Sequence, residues 1–538
     1  DRILEEWISE FEEHGNSTIL NSLRYFYQDS DVKLCIHITG MLDGCLPVSI
    51  IEKLYESEKQ TLLFTKLDNI FFYKFKGNAY YVKHDYIYDA INEDMSDHMK
   101  VTTARQIYNC ALNPDIDFTV TEEKTFELLF FMQEYEKALE QWCCLEKILY
   151  KQHLFCSIIK YGDIALTCYD NLQLTQRLRD VQVEIIISVL NAYLQIRILN
   201  AKGFHELLSQ YETICNMKKY FPEGNLLRVR LLFYKWNQFF YGADIEESYS
   251  VISEAKEIID EKNIDDAALC ANIYWAYALS HKRKTSIQQA IEDYEEGLKK
   301  YPESTILNVG LKLHQAHTFL RKQPEKSCEI CEGVLEDLKE DDCPYHEILQ
   351  IRVDIVMSKF YAGQYTDALE KCEEVLQIAR SVNASYQMGR LYNIYASILL
   401  MLGDIDEAEA VFSRAYHEFQ ESGNHLFAWR AGFNLSQVLL MCGKEKEAVR
   451  RFKALYNNEI PNLKERVENL SLENAELTAF LYTVRILKEK GLYKENETSK
   501  LLQSNETFAL LSECDNETFY KELDQLSYMH KGCLIILG

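Results

Sequence analysis

The chain has 538 residues, of which 47% are hydrophobic, and its 20 glycines and 7 prolines are few enough to favour long helices joined by short turns. Its 58 basic and 84 acidic residues give a formal net charge of −26, which argues against nucleic-acid binding because such a field repels phosphate backbones. Its apolar runs are far shorter than the ~20 residues that span a bilayer, and no secretory signal is visible, so we expect a cytoplasmic protein without membrane contact.

The first predicted domain covers residues 1–95 and carries no internal repeat. Its predicted elements are the helices Asp31–Met41, 47–54 and Gln60–Leu67 and the strands 70–75 and 79–83. The turn around Gly77 is typical of a β-hairpin. Three helices followed by one hairpin predict a small winged-helix domain. The candidate recognition helix, Glu58–Asp68, mixes its few lysines with acids, so we favour a structural or regulatory role over DNA binding.

The segment after the hairpin, residues 82–87, contains a His-Asp pair, His84 and Asp85. It resembles the Met-His-Asp motif of STAND-class signalling ATPases, with Lys83 at the methionine position. In that family the histidine contacts the β-phosphate of bound ADP, so the resemblance implies a nucleotide-phosphate contact by His84 and Asp85. From the residues alone, Asp85 can equally serve as the cap of the next helix.

Internal repetition dominates the second predicted domain, residues 96–471. Glycines and alanines recur every 40 residues, at Gly363, Gly403 and Gly443 and at Ala368, Ala408 and Ala448. Such a period predicts stacked helix pairs, with each glycine ending a first helix and each alanine allowing close packing of the second. The pattern resembles the tetratricopeptide repeat (TPR), best over Tyr392–Ala415. We therefore predict an all-α, TPR-like α-solenoid of about ten helix pairs, followed by a C-terminal helical cap and tail over residues 472–538.

The TPR resemblance implies that the first helices line a concave, partner-binding face. Setting the repeats in register places on that face Asn272, Trp275, Arg390, Asn393, Ser397, Arg430, Phe433 and Gln437. Asparagine and arginine there suit a partner's backbone or carboxylates, and aromatic residues suit anchors. The alternative is that these side chains pack between repeats or face solvent. We expect replacement of Arg390 and Arg430 by alanine to weaken partner binding without lowering helicity. The basic run 281–284 is expected to lie in a solvated loop.

Motifs for catalysis are missing from the sequence. The only Gly-Lys dipeptide is Gly443-Lys444, inside a repeat, so no GxxxxGK[ST] phosphate-binding loop is present. HExxH and GxSxG motifs are also missing, and the 16 cysteines show no metal-binding framework. We expect no enzyme activity, no metal and no cofactor in this chain. The STAND resemblance implies that ADP or ATP binds a further part of a longer protein.

That resemblance also implies a function. The chain would be the ligand-sensing region of a STAND ATPase, in which a protein or peptide trigger on the array releases autoinhibition and promotes oligomerisation. Prokaryotic antiviral sensors of the AVAST type and TPR-containing transcription regulators share this layout. We expect no DNA-binding domain after the array, which counts against the regulators. The alternative without a nucleotide switch is a TPR scaffold or adaptor that binds a partner peptide.

Overall fold

The computed structural model describes residues 25–70, 72–83, 85–115, 118–172, 176–199, 201–217, 225–242, 244–262, 264–338, 343–455, 483–485, 487–492, 528–530 and 533–535. The chain divides into two compact units. The first contains residues 1–152 and 160–185, and the second contains residues 153–159 and 186–538.

The first unit begins with short helices around a small sheet. Its elements are α1 (Ser30–Met41), β1 (Cys45–Pro47), α2 (Val48–Leu54), α3 (Ser57–Asp68), β2 (Tyr73–Lys76), β3 (Ala79–Val82), α4 (Asp85–Asp94), α5 (Asp97–Ala111), α6 (Glu122–Phe131) and α7 (Tyr135–Lys151). The three predicted helices and the hairpin are confirmed, with Gly77 at φ +63° in the turn. A third strand, β1, was not predicted. It pairs antiparallel with β3 in the order β1-β3-β2, and three residues ending in Pro47 are too short to show alternation.

Helices α8 (Phe155–Asp170) and α9 (Gln176–Ile196) are divided between the two units. The second unit then continues as helix after helix. These are α10 (Lys202–Cys215), α11 (Asn225–Tyr241), α12 (Ile245–Glu261), α13 (Ala267–Lys284), α14 (Ile287–Lys300), α15 (Thr305–Phe319), α16 (Pro324–Asp337), α17 (Tyr345–Tyr361), α18 (Tyr365–Ser381), α19 (Ser385–Leu402), α20 (Ile405–Glu421), α21 (His425–Met441) and α22 (Glu445–Ala454). Each helix from α11 to α21 packs on the next one, so that α11 to α22 make six helix pairs. The second unit is a TPR-like α-solenoid, as predicted.

The predicted 40-residue period has the expected structural basis. The three repeat glycines, Gly363, Gly403 and Gly443, follow first helices and adopt positive φ angles of 74°, 95° and 74°. A left-handed residue at this place lets the next amide bond back to the helix, as the Asp404 N–H does to the Leu399 carbonyl at 2.9 Å. The three repeat alanines are fully buried, as are the next core residues along each second helix, Cys372, Phe412 and Phe452.

The last elements described are two short antiparallel strands, β4 (Tyr528–His530) and β5 (Cys533–Ile535). The second strand falls in the apolar C-terminal segment. Most of the predicted cap, residues 472–538, lies outside the described residues. Among the residues that the structure describes, no helix is long and apolar enough to cross a membrane.

Candidate ligand-binding cavity

A cavity of about 690 Å³ lies within the second unit. Every first helix of the six pairs contributes to its wall, namely α11, α13, α15, α17, α19 and α21. One residue of a second helix, Tyr294 of α14, also lines it. The cavity is therefore built by the face that the TPR resemblance assigns to ligands.

Four consecutive helix pairs each place the residue at the same repeat position in the wall of the cavity. Gly310, Gln350, Arg390 and Arg430 are spaced 40 residues apart, and all four line the cavity. They belong to α15, α17, α19 and α21 in turn. Because the period of the sequence matches one helix pair, equivalent positions recur along a single wall.

The wall is rich in cations. Among the described residues that line it, the lysines and arginines are Lys282, Arg283, Lys284, Arg321, Arg390 and Arg430, and the acid is Glu347. Several of these cations have defined contacts. The Arg430 guanidinium lies 4.5 Å from the centre of the Phe427 ring, and that of Arg283 lies 3.7 Å from the centre of the Phe240 ring. A chain with net charge −26 thus places six lysine and arginine side chains in the wall of one cavity.

A buried carboxylate supports this wall. Asp354 is 2% exposed and lies 3.5 Å from the Arg390 guanidinium and 3.1 Å from His317 Nε2. Gln350 Nε2 donates to Asp354 Oδ1, the oxygen nearest Arg390, at 2.8 Å, and Arg390 also donates to Gln350 Oε1. Burial acts to raise the pKa of Asp354, but the charges of His317 and Arg390 and the Gln350 hydrogen bond outweigh it, so that this pKa falls to about 2. Asp354 is therefore ionised and holds Arg390 in place.

Two buried polar groups complete the wall. The Tyr294 hydroxyl and His314 Nε2 have no hydrogen-bond partner among the described residues, and both side chains line the cavity. Burial, and next the charge of Lys282, lower the pKa of His314 well below its ordinary value. The imidazole is thus neutral, and its Nδ1 donates to the Gly310 carbonyl at 2.8 Å. Nε2 is then left as an acceptor that needs a donor.

We next compared the chain with known proteins. Residues 347–416 match the tetratricopeptide repeat family. The search of curated proteins gave no match. A Rap protein in complex with competence and sporulation factor is 15% identical with a TM-score of 0.35, and the alignment covers 73% of this chain and 90% of that one.

Two further solved structures are similar. NprR in complex with its cognate peptide NprX is 13% identical over 63% of this chain and 96% of that one, with a TM-score of 0.39. A STAND protein with a tetratricopeptide repeat sensor from Pyrococcus horikoshii is 12% identical with a TM-score of 0.36. Its alignment covers 89% of this chain and 64% of that one.

Three of the eight residues predicted for the ligand-binding face of the TPR array line the cavity. They are Trp275, Arg390 and Arg430. Trp275 packs edge-on against Trp236, with ring centres 5.5 Å apart. Asn272 is half-buried and does not line the cavity.

The other four predicted residues are buried and do not line the cavity. Asn393 accepts a hydrogen bond from Asn434 at 2.9 Å, and Ser397 donates to the Asn393 carbonyl at 2.8 Å. Phe433 is fully buried, with ring centres 4.7 Å from Trp429 and 5.7 Å from Phe452. Gln437 is also buried. The role of these four residues on a partner-binding face stays a prediction.

The basic run was assigned to the wrong kind of element. Residues 281–284 form the last turn of α13 and are not a loop. Three of them, Lys282, Arg283 and Lys284, line the cavity. Their helical position was detectable, since cations are favoured in the last turn of a helix. That these three side chains line the cavity depends on the packing of α15 and α17 beside α13, so the sequence of the run itself does not reveal it.

Only one residue of the predicted nucleotide contact is described. His84 falls outside the described residues, and Asp85 is the first residue of α4. The role of both residues stays a prediction. In the described part of the chain, no group of three His, Cys, Asp or Glu side chains is placed to hold a metal ion.

Proposed function

We propose that the second unit is a sensor array that binds a peptide or a segment of a protein in the cavity. The observation that carries this proposal is that four consecutive helix pairs present the same repeat position to one cavity. An extended peptide that runs across the pairs meets one such residue from each of them. The volume of the cavity, about 690 Å³, is within the usual range of ligand sites.

The chemistry of this position suits a peptide. Gln350, Arg390 and Arg430 carry N–H groups, and backbone carbonyls of a peptide accept hydrogen bonds. Trp275, Tyr386 and Phe427 add aromatic surface to the same wall, which suits apolar side chains. The wall therefore has polar groups for the backbone of a ligand and rings for its side chains.

As the finer part of the proposal, the array senses a trigger for a STAND-type ATPase of the cytoplasm. Three helices and a hairpin precede the array, as a winged-helix domain would, and the His84–Asp85 motif follows that hairpin. Trigger binding would then release autoinhibition and permit oligomerisation. The biological setting we propose for this response is antiphage defence. A trigger can do this only through unequal affinity for the closed and open states. The chain itself would carry out no catalysis.

ADP retention tests the finer part. We expect the intact protein to purify with ADP, and the variant His84→Ala to lose it, because an imidazole N–H is a suitable phosphate donor. Nucleotide released by heat denaturation is quantified by chromatography. Equal ADP in both proteins would argue for the helix-capping role of this motif, and its absence from both would argue for a scaffold.

Peptide binding tests the array. Heptapeptides selected from a random library against the full chain should bind Arg430→Ala at least roughly tenfold more weakly, because a charge-assisted hydrogen bond contributes about 1.5–3 kcal/mol. Titration calorimetry measures the affinity, and circular dichroism checks that helicity is kept.

A matched control is available in the last pair. Arg451 of α22 lies 4.3 Å from the centre of the Tyr416 ring, so it is also an arginine stacked on an aromatic ring, but it does not line the cavity. Arg451→Ala should bind the peptides as the parent chain does. Equal losses of peptide affinity in Arg430→Ala and Arg451→Ala would indicate that the peptides bind outside the cavity.

A further inference from the structure

Tyr294 occupies a core position of its repeat but carries a hydroxyl there. It lies four residues after the buried Ala290 on α14, as Phe412 lies four residues after Ala408 on α20. Both aromatic side chains are fully buried. Packing at this position needs only a ring, whereas a buried hydroxyl without a partner costs stability. The hydroxyl therefore needs an explanation other than the packing of the repeat.

Gly310 allows this ring to reach the cavity. A Cβ atom at position 310 would lie 2.5 Å from Tyr294 Cε1, far inside van der Waals contact. Gly310 stands at the repeat position that carries Gln350, Arg390 and Arg430 in the next three pairs. Where those pairs place a side chain in the wall, Gly310 therefore leaves room for the ring of Tyr294 from a second helix.

His314 places a second unsatisfied group beside that ring. It lies one turn after Gly310 on α15, and its ring centre is 5.0 Å from that of Tyr294. Its Nδ1 donates to the Gly310 carbonyl, which leaves Nε2 as an acceptor. Among the described residues, neither this Nε2 nor the Tyr294 hydroxyl has a hydrogen-bond partner. A ligand group at this place must donate to Nε2 and can accept from the hydroxyl.

Charged ligand groups fit this place poorly. An ionised carboxylate has no hydrogen for His314 Nε2. Burial, and next the charge of Lys282, lower the pKa of His314, so an ammonium group would add a second positive charge there. Burial makes either ion costly, since the Tyr294 side chain is 0% exposed and that of His314 is 4% exposed. The pair therefore favours an uncharged group that both donates and accepts hydrogen bonds.

A side-chain carboxamide meets these requirements. Its N–H and its carbonyl lie on the same edge, whereas those of a trans backbone amide point in opposite directions. One carboxamide can therefore reach two neighbouring groups. Its length matters as well, because the Tyr294 hydroxyl comes from a second helix while first helices supply most of the wall. A backbone that crosses the first helices needs a side chain to reach this hydroxyl.

We propose that Tyr294 and His314 form a subsite for the carboxamide of an Asn or Gln side chain in the bound peptide. The N–H of this group donates to His314 Nε2, and its carbonyl accepts from the Tyr294 hydroxyl. This inference rests on the proposed function, since it names one side chain of the ligand for the same cavity.

Tyr294→Phe tests the subsite, because it removes the hydroxyl and keeps the ring. Heptapeptides selected against the full chain from a random library should be enriched in Asn or Gln. They should bind this variant at least roughly fivefold more weakly in titration calorimetry, because their buried carbonyl loses its donor. The urea midpoint of the unliganded variant should not fall below that of the parent chain, since the hydroxyl has no partner among the described residues. A lower midpoint with unchanged affinity would overturn the inference.

Two further variants locate the effect. Tyr211 of α10 is fully buried, and its hydroxyl also has no hydrogen-bond partner in the described part of the chain, but it does not line the cavity. Tyr211→Phe should therefore leave peptide affinity unchanged, and a loss equal to that of Tyr294→Phe would overturn the inference. His314→Asn keeps a donor for the Gly310 carbonyl and lacks the Nε2 acceptor. It should weaken binding as Tyr294→Phe does, and unchanged affinity would again overturn the inference.

Changes in the peptide identify the bound group. Replacement of the enriched Asn or Gln by Ala should weaken binding to the parent chain. Tyr294→Phe should then have little further effect on that peptide, as expected for two partners of one interaction. The effect of Tyr294→Phe could disappear instead on N-methylation of a backbone amide, or on replacement of a Ser, Thr or Lys. Either result would overturn the carboxamide.

The remaining outcomes separate this inference from the proposed function. Selected peptides that depend on Arg430 but bind Tyr294→Phe as tightly as the parent chain would overturn the carboxamide subsite and leave the peptide sensor standing. No enrichment of any peptide would overturn both proposals.

Discussion

Replacement of Arg390 by alanine is expected to destabilise the second unit by roughly 3–5 kcal/mol, the usual cost of removing one partner of a buried ion pair. Asp354 is 2% exposed and, among the described residues, would keep His317 and Gln350 as side-chain partners. Arg390 is itself buried and also donates to Gln350. The sequence-based expectation that both arginines can be removed without loss of structure is therefore revised for Arg390.

Urea unfolding followed by circular dichroism measures this effect, and two variants control it. Arg390→Ala combined with Asp354→Asn should be more stable than Arg390→Ala alone, because the uncompensated buried charge is gone. Arg450→Ala should cost far less, since the Arg450 side chain is 80% exposed. If the double variant were no more stable than Arg390→Ala, the ion pair would not be the cause.

Acidification is the second large effect, and we expect it to act through His346. Burial, and next the charge of Arg197, lower the pKa of this histidine from 6.5 to about 4. The unfolded chain takes up a proton below about pH 6.5, while the folded chain does not until about pH 4. Stability is therefore lost as the pH falls through this window. A difference of about 2.5 pKa units corresponds to roughly 3 kcal/mol at 1.36 kcal/mol per unit.

The contacts of His346 suggest a conservative replacement. Its Nδ1 lies 3.3 Å from Gln195 Oε1, and its Nε2 lies 3.1 Å from Glu347 Oε1. His346→Gln keeps a donor at this place but cannot take up a proton in this range. We expect the urea midpoint of this variant to fall less than that of the parent chain between pH 7 and pH 4.

His417→Gln is the control for this pH series. The His417 side chain is 70% exposed on α20, so its replacement should leave the pH dependence of the midpoint unchanged. His314 is also buried, and burial lowers its pKa too, so part of the acid sensitivity should survive in His346→Gln. Parallel midpoint curves for the parent chain and His346→Gln would show that this histidine does not carry the effect.

Local rules account for much of the fold. The left-handed conformation at the end of a first helix favours glycine, and close packing inside the second helix favours alanine. Because both residues recur at a fixed spacing, the helix pairs can be recognised from the sequence. The hairpin around Gly77 is equally local. The short strand β1 was missed because its pairing with β3 joins Cys45 to Tyr81, and three residues carry no periodic signal.

The sequence by itself determined the repeat and its register, because these follow from the spacing of residues along one chain. That the first helices would form one binding face was implied by the TPR resemblance, and first helices do supply most of the cavity wall. Only the tertiary structure decided which side chains on that face are open. Arg430 reaches the cavity, whereas Phe433, one turn further along α21, is enclosed by Trp429 and Phe452. The physical reason is that exposure depends on the offset between neighbouring helices. That offset is set by packing between pairs about forty residues apart, and no single repeat contains it.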